Sequence, residues 1–399
     1  MVDARTVTVG IVSGKDLRFT LNGGYVVDDD GTYRPTGADS TFTLHDVTIG
    51  KNFHWQRRTE QTFSGALRFV DNGDGTRTAV NILPVEDYLV SVISSEMSPD
   101  APMEFLKAHA VVSRSWLLRI IAGRGKTRPA AGTTHKGAAV AGEHIRWYDR
   151  DDHELFDVCA DDHCQRYQGI VPQAGHRAAD AVRATCGEVL TYGGEVCDAR
   201  FSKCCGGSTE VFSCCWDDED KPYLVSVSDT PEGGGRPFCD TDDAAVIKQV
   251  MKSYDRETKD FFRWTVSYSR EQLSDIVRSK LSSGRDRSRP LPDLGTIEDL
   301  VPVERGKSGR IRLLRIKGSK GEVTVGKELE IRRVLSPSHL YSSAFTVERT
   351  ADGFTLHGRG WGHGVGLCQI GAAVMGSRGY SYDAILLHYY RGATITKLY

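Results

Sequence analysis

Between Asn81 and Ile121 the sequence leaves few options for folding. An apolar segment, Tyr88 to Ile93, runs into Ser95-Glu96-Met97 and then into a turn-rich group, Ser98 to Pro102. Asp100 fits a helix N-cap and Pro102 a first helical position, which predicts a helix over Met103–Ile121 ending at Gly123. A 100° step per residue puts Glu104, Lys107, Arg114, Ser115 and Arg119 on its polar side and His109 and Ser113 on the apolar side. Arg114 is then expected to be half solvated and His109 to be a core histidine. Glu96 is left as a single carboxylate between an extended apolar segment and a helix. Shelter of that kind raises a carboxyl pKa toward a useful range. A capping glutamate or a solvated turn charge is the competing account.

The 399 residues can bury a full core and suggest two or three lobes. With 51 basic against 53 acidic residues, no electrostatic footprint for nucleic acid or an anionic membrane emerges, while a neutral polar polymer is compatible. No apolar run is long enough to span a bilayer. The first residues lack a signal-peptide pattern, so the targeting segment of an exported protein is expected to lie outside this sequence. Ten cysteines are many for a cytosolic enzyme, and eight of them fall between Cys159 and Cys215. That crowding suggests disulfides in an oxidising compartment, a metal site, or both. Each doublet, Cys204-Cys205 and Cys214-Cys215, should send at least one sulfur elsewhere, because disulfide geometry is demanding.

The expected fold class is α+β: a β-rich N-terminal lobe (1–75), a core with helical cleft walls (76–240), an inserted smaller α+β lobe (241–335), and a C-terminal part of the core (336–399). Alternation at Thr6 to Val12 and Leu17 to Leu21, and a hairpin around Asn72-Gly73-Asp74-Gly75, support the first. Helices are predicted over 178–184, 244–253, 270–283, 367–376 and 382–390, and strands over 188–192, 223–227 and 264–268. Residues 295–335 read as short strands. The basic, small-residue stretch 122–142 reads as a mobile loop and 283–290 as a linker. Five glycines in Gly358 to Gly366 let the backbone approach something closely or take positive φ.

His153, Cys159, His163 and Cys164 lie within twelve residues and are the ligand types of a closed tetrahedral zinc site. A Cys159–Cys164 disulfide, or free thiols beside solvated histidines, is the alternative. Such a zinc would be structural, because four protein ligands leave no open position. The aspartates nearby do not follow a calcium-loop pattern.

Three blocks in order carry a resemblance. They are Leu83 to Leu89 with Ser95-Glu96-Met97 and Ala110-Val111-Val112-Ser113-Arg114; Gly358 to Ala372; and Tyr382 to Leu386 with His388 to Gly392. Together they resemble the stage II sporulation protein D, or SpoIID/LytB, domain family. The resemblance implies a lytic transglycosylase that cleaves peptidoglycan glycan strands between N-acetylmuramic acid and N-acetylglucosamine, leaving 1,6-anhydro ends. It implies Glu96 as the catalytic acid, a structural zinc on His153, Cys159, His163 and Cys164, and no cofactor for the chemistry. Ser95, Arg114, Ser208, His363 and Gln369 become substrate-binding candidates, Ser208 through a hydroxyl- and glycine-rich turn after Cys204-Cys205. An extracytoplasmic location and a cell-wall amidase as partner are further implications. Cys204, Cys205 and Cys368 depart from the family, which often has small residues or serine there. The alternatives are a non-catalytic glycan-binding module that stimulates an amidase, and a cysteine hydrolase using Cys368 or Cys164.

Overall fold

The computed structural model describes residues 5–50, 56–123, 142–146, 153–171, 176–252, 261–282 and 291–399. The predicted loop over 122–142 and the linker over 283–290 fall almost wholly outside them. The class is the expected α+β, with eight helices among the described residues: α1 Val85–Glu96, α2 Met103–Gly123, α3 Arg177–Ala184, α4 Ala244–Val250, α5 Arg270–Ser282, α6 Glu328–Val334, α7 Gln369–Ser377 and α8 Tyr382–Tyr389.

Strand Thr6–Gly14 alternates because its inward residues Val7, Val9 and Ile11 bury against the core. It pairs antiparallel with Arg77–Pro84, which pairs through the expected hairpin with Ala66–Asp71. On its other side Val9 and Gly10 pair in parallel with Val158 and Cys159. The segment that carries the His and Cys cluster is therefore a strand of the N-terminal sheet.

Val85 to Glu96 is a helix, not an extended segment. Val85, Tyr88, Leu89, Val92 and Ile93 repeat at helical spacing, and all are buried. Glu86 and Asp87 in the first turn complement the positive end of the helix dipole. Glu96 continues the same buried stripe. The helix stops there because Met97 turns extended and Ser98 precedes Pro99, which disfavours helical backbone. The long helix α2 begins at Met103, as expected, with the Pro102 carbonyl accepting the Leu106 N–H, so Pro102 stands just before the first helical residue. Asp100 is not its cap.

Two hydrophobic cores divide the chain. One takes the N-terminal sheet, α1 to α4, α7 and α8. The other gathers buried residues from Trp264 to Leu356, so strands Phe345–Arg349 and Gly353–Arg359 pack with the insert through strand Arg263–Ser269. Residues 223–227 form no strand, making only an isolated bridge through Ser228. Residues Glu328–Val334, which fall within the stretch expected to be short strands, form α6.

The C-terminal glycine block threads beside residues 200–210. Phe201 and Ser202 pair in parallel with Leu367 and Cys368, and isolated bridges join Cys204 to Trp361 and Glu210 to Val365. Gly364 and Gly366 adopt φ of 77° and 73°, a region that side chains disfavour. A Cβ at Gly366 would lie 2.0 Å from the Arg200 carbonyl, and one at Gly364 2.4 Å from the Arg310 guanidinium. The insert is locked to this block by buried charge. Glu210 accepts from the Lys307 and Ser308 N–H groups and the Ser308 hydroxyl. Arg310 donates to the carbonyls of Cys205 and Gly362.

Candidate functional site

The two cores meet at a pocket of about 520 Å³, within the range typical of ligand sites. The first core contributes Glu96, Trp116, Arg166, Lys203, Trp216, His363 and Gln369 to its walls; α6 of the insert contributes Glu328, Arg332 and Arg333.

Glu96 enters at the last position of α1 and is 7% exposed. Burial pushes its carboxyl pKa above the ordinary value, with Asp162 adding to the push and Arg166 and Lys203 opposing it. Its place at a helix C-terminus disfavours negative charge as well. Oε1 accepts the Arg166 peptide N–H at 2.9 Å. The Lys203 ammonium donates to the Glu96 backbone carbonyl at 3.0 Å, satisfying an end-of-helix acceptor. The segment 165–169 is strapped along α1 by two more bonds: Ser91 Oγ donates to the Gly169 carbonyl, and the Gln168 N–H donates to Ser95 Oγ.

His363 lies edge-on to Trp216, ring centroids 4.9 Å apart. Burial, and then Arg200, Arg310 and Arg332, hold its pKa well below that of a free imidazole, so it is neutral at pH 7. The Val365 N–H donates to its Nδ1 at 3.0 Å, which places the ring proton on Nε2. Gln369, the first residue of α7, meets His109 with Nε2 atoms 3.0 Å apart. Burial, then Lys203, brings His109 down to about 3. It packs in the core against Phe201, as its place on the apolar face implied.

Three candidates do not line the pocket. Arg114 is wholly buried rather than half solvated, in a bidentate pair with Glu86 at 2.6 and 2.8 Å, and it also donates to the Glu188 carbonyl. Helical periodicity missed this because α1, α3, the strand Glu188–Tyr192 and α8 all pack on α2 and cover its polar side. Ser95 is occupied with Gln168. Ser208 sits in an isolated bridge with Ser228. The sequence reading did not single out Arg166, Lys203, Trp216, Glu328 or Arg332. Only Lys203 carried a signal, lying in the turn-forming stretch already suspected of lining a cleft.

The four predicted zinc ligands come together. Cys164 Sγ lies 3.4 Å from His153 Nε2 and 3.4 Å from His163 Nδ1, while Cys159 Sγ lies 3.5 Å from Cys164 Sγ and 3.9 Å from His163 Nδ1. Tetrahedral zinc with bonds of roughly 2.0–2.3 Å requires ligand–ligand edges of about 3.3–3.8 Å. The donor set and spacing therefore fit zinc. No cysteine is disulfide-bonded, and seven of the ten are buried. A second group of metal-binding type, Cys205, Asp229, Cys239 and Cys368, also has its donor atoms within 4.8 Å of one another. Cys368 is sealed in the interior.

One part of the chain matches a SpoIID domain. Residues 73–192 match the family described as stage II sporulation protein, and residues 210–366 match a domain of unknown function (DUF8618). The chain is homologous to stage II sporulation protein D and to an amidase enhancer. It is 25% identical over 319 residues to stage II sporulation protein D of Bacillus amyloliquefaciens, covering 80% of this chain and 76% of that one. An uncharacterized protein of Brachyspira hyodysenteriae is 29% identical over 333 residues, 84% of this chain and 72% of its own. The amidase enhancer of Bacillus subtilis is 27% identical over 233 residues, 54% of this chain and 32% of that longer protein.

Proposed function

We propose that the chain is a peptidoglycan lytic transglycosylase acting outside the cytoplasm, with Glu96 as its general acid and base. The observation that carries this is a desolvated carboxyl whose Oε1 is held by a peptide N–H, at the wall of a pocket lined by tryptophans and hydrogen-bonding side chains. With Oε1 engaged as an acceptor, the carboxyl proton belongs on Oε2. That proton passes to the glycosidic oxygen as the C1–O bond breaks. The muramic acid C6 hydroxyl then attacks C1, and its proton returns to Glu96, so one carboxyl serves both steps and water is not consumed. Holding the C6 hydroxyl beside C1 supplies much of the rate, as it does for any tethered nucleophile. Gln369, Arg332 and the faces of Trp116, Trp216 and Trp361 are suited to N-acetyl and hydroxyl groups and to sugar rings. Arg114 serves the fold. Zinc on His153, Cys159, His163 and Cys164 is structural and contributes by fixing the chain that leads to Arg166.

Mass analysis of products from purified glycan strands tests the reading. It expects 1,6-anhydro ends that disappear in Glu96→Gln. Products heavier by one water would mean hydrolysis instead, with Glu328 as the second carboxyl that such a reaction requires.

The similarity to an amidase enhancer favours one other reading, a glycan-binding module that stimulates a cell-wall amidase. Glycan binding by an inert wild-type protein, together with acceleration of an added amidase, would select it.

A further inference from the structure

The second sulfur-rich group lies apart from the pocket and from the His153 cluster. Cys205, Asp229, Cys239 and Cys368 are each at most 1% exposed. They come from three parts of the chain: Cys205 follows strand Phe201–Ser202, Cys368 immediately precedes α7, and Asp229 and Cys239 flank the loop 230–238. That loop carries Gly233-Gly234-Gly235 at positive φ and has an exposed tip, while its two ends are buried. The Phe238 N–H donates to the Asp229 carbonyl and draws the ends together.

The donor atoms are oriented before any ion is considered. The Cys205 N–H donates to Cys368 Sγ at 3.2 Å. Asp229 Oδ1 accepts from the Tyr389 hydroxyl at 2.6 Å, and Oδ2 accepts from the Cys239 N–H at 2.8 Å. Cys205 Sγ and Cys239 Sγ are 3.6 Å apart, about one edge of a zinc tetrahedron. Bonds of this kind, from amides to sulfur and from hydroxyl and amide to a carboxylate, are what fix and neutralise the ligands of a closed metal site. Burying a carboxylate among three thiols is costly unless a cation joins them.

The geometry points to a second structural zinc site, formed by Cys205, Asp229, Cys239 and Cys368. Three thiols select a soft or borderline cation over calcium or magnesium, and four protein donors leave no position for water. The ion clamps both ends of loop 230–238 to the strand and to the start of α7, one residue before Gln369. Cys204, whose thiol lies beside Cys239 and Cys368, falls outside the four whose donor atoms all lie within 4.8 Å of one another.

Metal analysis of the purified chain, with cobalt substitution, tests this independently of any cleavage activity. The full chain is expected to hold two zinc ions. Cys164→Ser and Cys239→Ser should each lose one, and the double variant both. Cobalt loaded into Cys164→Ser should give thiolate charge-transfer absorption that Cys239→Ser removes. Should Cys239→Ser fail to fold, Cys368→Ser provides the same comparison. One zinc per wild-type chain, lost entirely in Cys164→Ser, overturns the proposal. So does iron in place of zinc, or a Cys205–Cys239 linkage in peptides mapped without reductant.

Discussion

The peptide N–H of Arg166 donates to Glu96 Oε1 at 2.9 Å, and Arg166 stands two residues after Cys164. The carboxyl proposed for catalysis is thus held by backbone that the His153, Cys159, His163 and Cys164 cluster anchors. Loss of the zinc proposed at this cluster, through Cys164→Ser, is expected to lower the melting temperature. It should also reduce kcat about tenfold or more, the usual size of an orienting effect around a metal. Turnover by the Cys164→Ser protein, measured below its new melting temperature, checks this. Undiminished kcat would separate the two sites.

Glu96→Gln keeps an oxygen for the Arg166 N–H but cannot transfer a proton. Strand cleavage is expected to fall by about 10²-fold or more while glycan binding persists. Stability should move the other way. The native carboxyl pKa lies above the ordinary value of 4.5, so its contribution to stability is full below that value and is lost as pH rises through the native pKa. At neutral pH the glutamine variant should therefore melt higher than wild type, and the gap should close below about pH 4.5. Thermal melts would show no pH-dependent gap if Glu96 were solvated.

Lys203 opposes the upward push on Glu96. Lys203→Met should raise the Glu96 pKa further and carry the alkaline limb of kcat to higher pH. Since the ammonium also satisfies the Glu96 carbonyl, a loss of about 1 kcal/mol in stability should accompany the shift. A pH–rate profile that keeps its alkaline limb in place would remove Lys203 from the electrostatics of the site.

Arg114→Met breaks a pair whose arginine is wholly buried and whose glutamate is 26% exposed. The expected cost is about 3 kcal/mol in a urea titration, because Glu86 keeps only part of its hydration. The kcat of the folded fraction should match wild type. A variant that folds normally and loses glycan affinity would return Arg114 to the binding surface.

Several features were legible in the residues alone. The apolar spacing of Tyr88 to Ile93 and the Pro-rich turn after Met97 isolate Glu96, although the same spacing spells a helix rather than a strand. Helices α3, α5 and α8 and the hairpin joining Ala66–Asp71 to Arg77–Pro84 follow from patterns in which one face meets water. Helix α6 escaped notice because it is short and buries Glu328, Glu330 and Arg332 along with its apolar residues, which blurs the periodicity. Arg114 was misjudged for a related reason: packing from several elements buried a side that the pattern marks as polar.

Local sequence determined which backbone segments could be helix, strand or glycine turn, since propensity, capping and periodicity act over a few residues. It also supplied the closely spaced His153, Cys159, His163 and Cys164. Only the tertiary structure decided that Glu96, Lys203, His363 and Glu328 share one pocket, and that Cys205 meets Cys239 and Cys368. That pocket brings together residues up to 267 positions apart (Glu96 and His363; 363 − 96). Both arrangements arise from the packing of two cores and the threading of the glycine block beside residues 200–210, which no short-range pattern encodes.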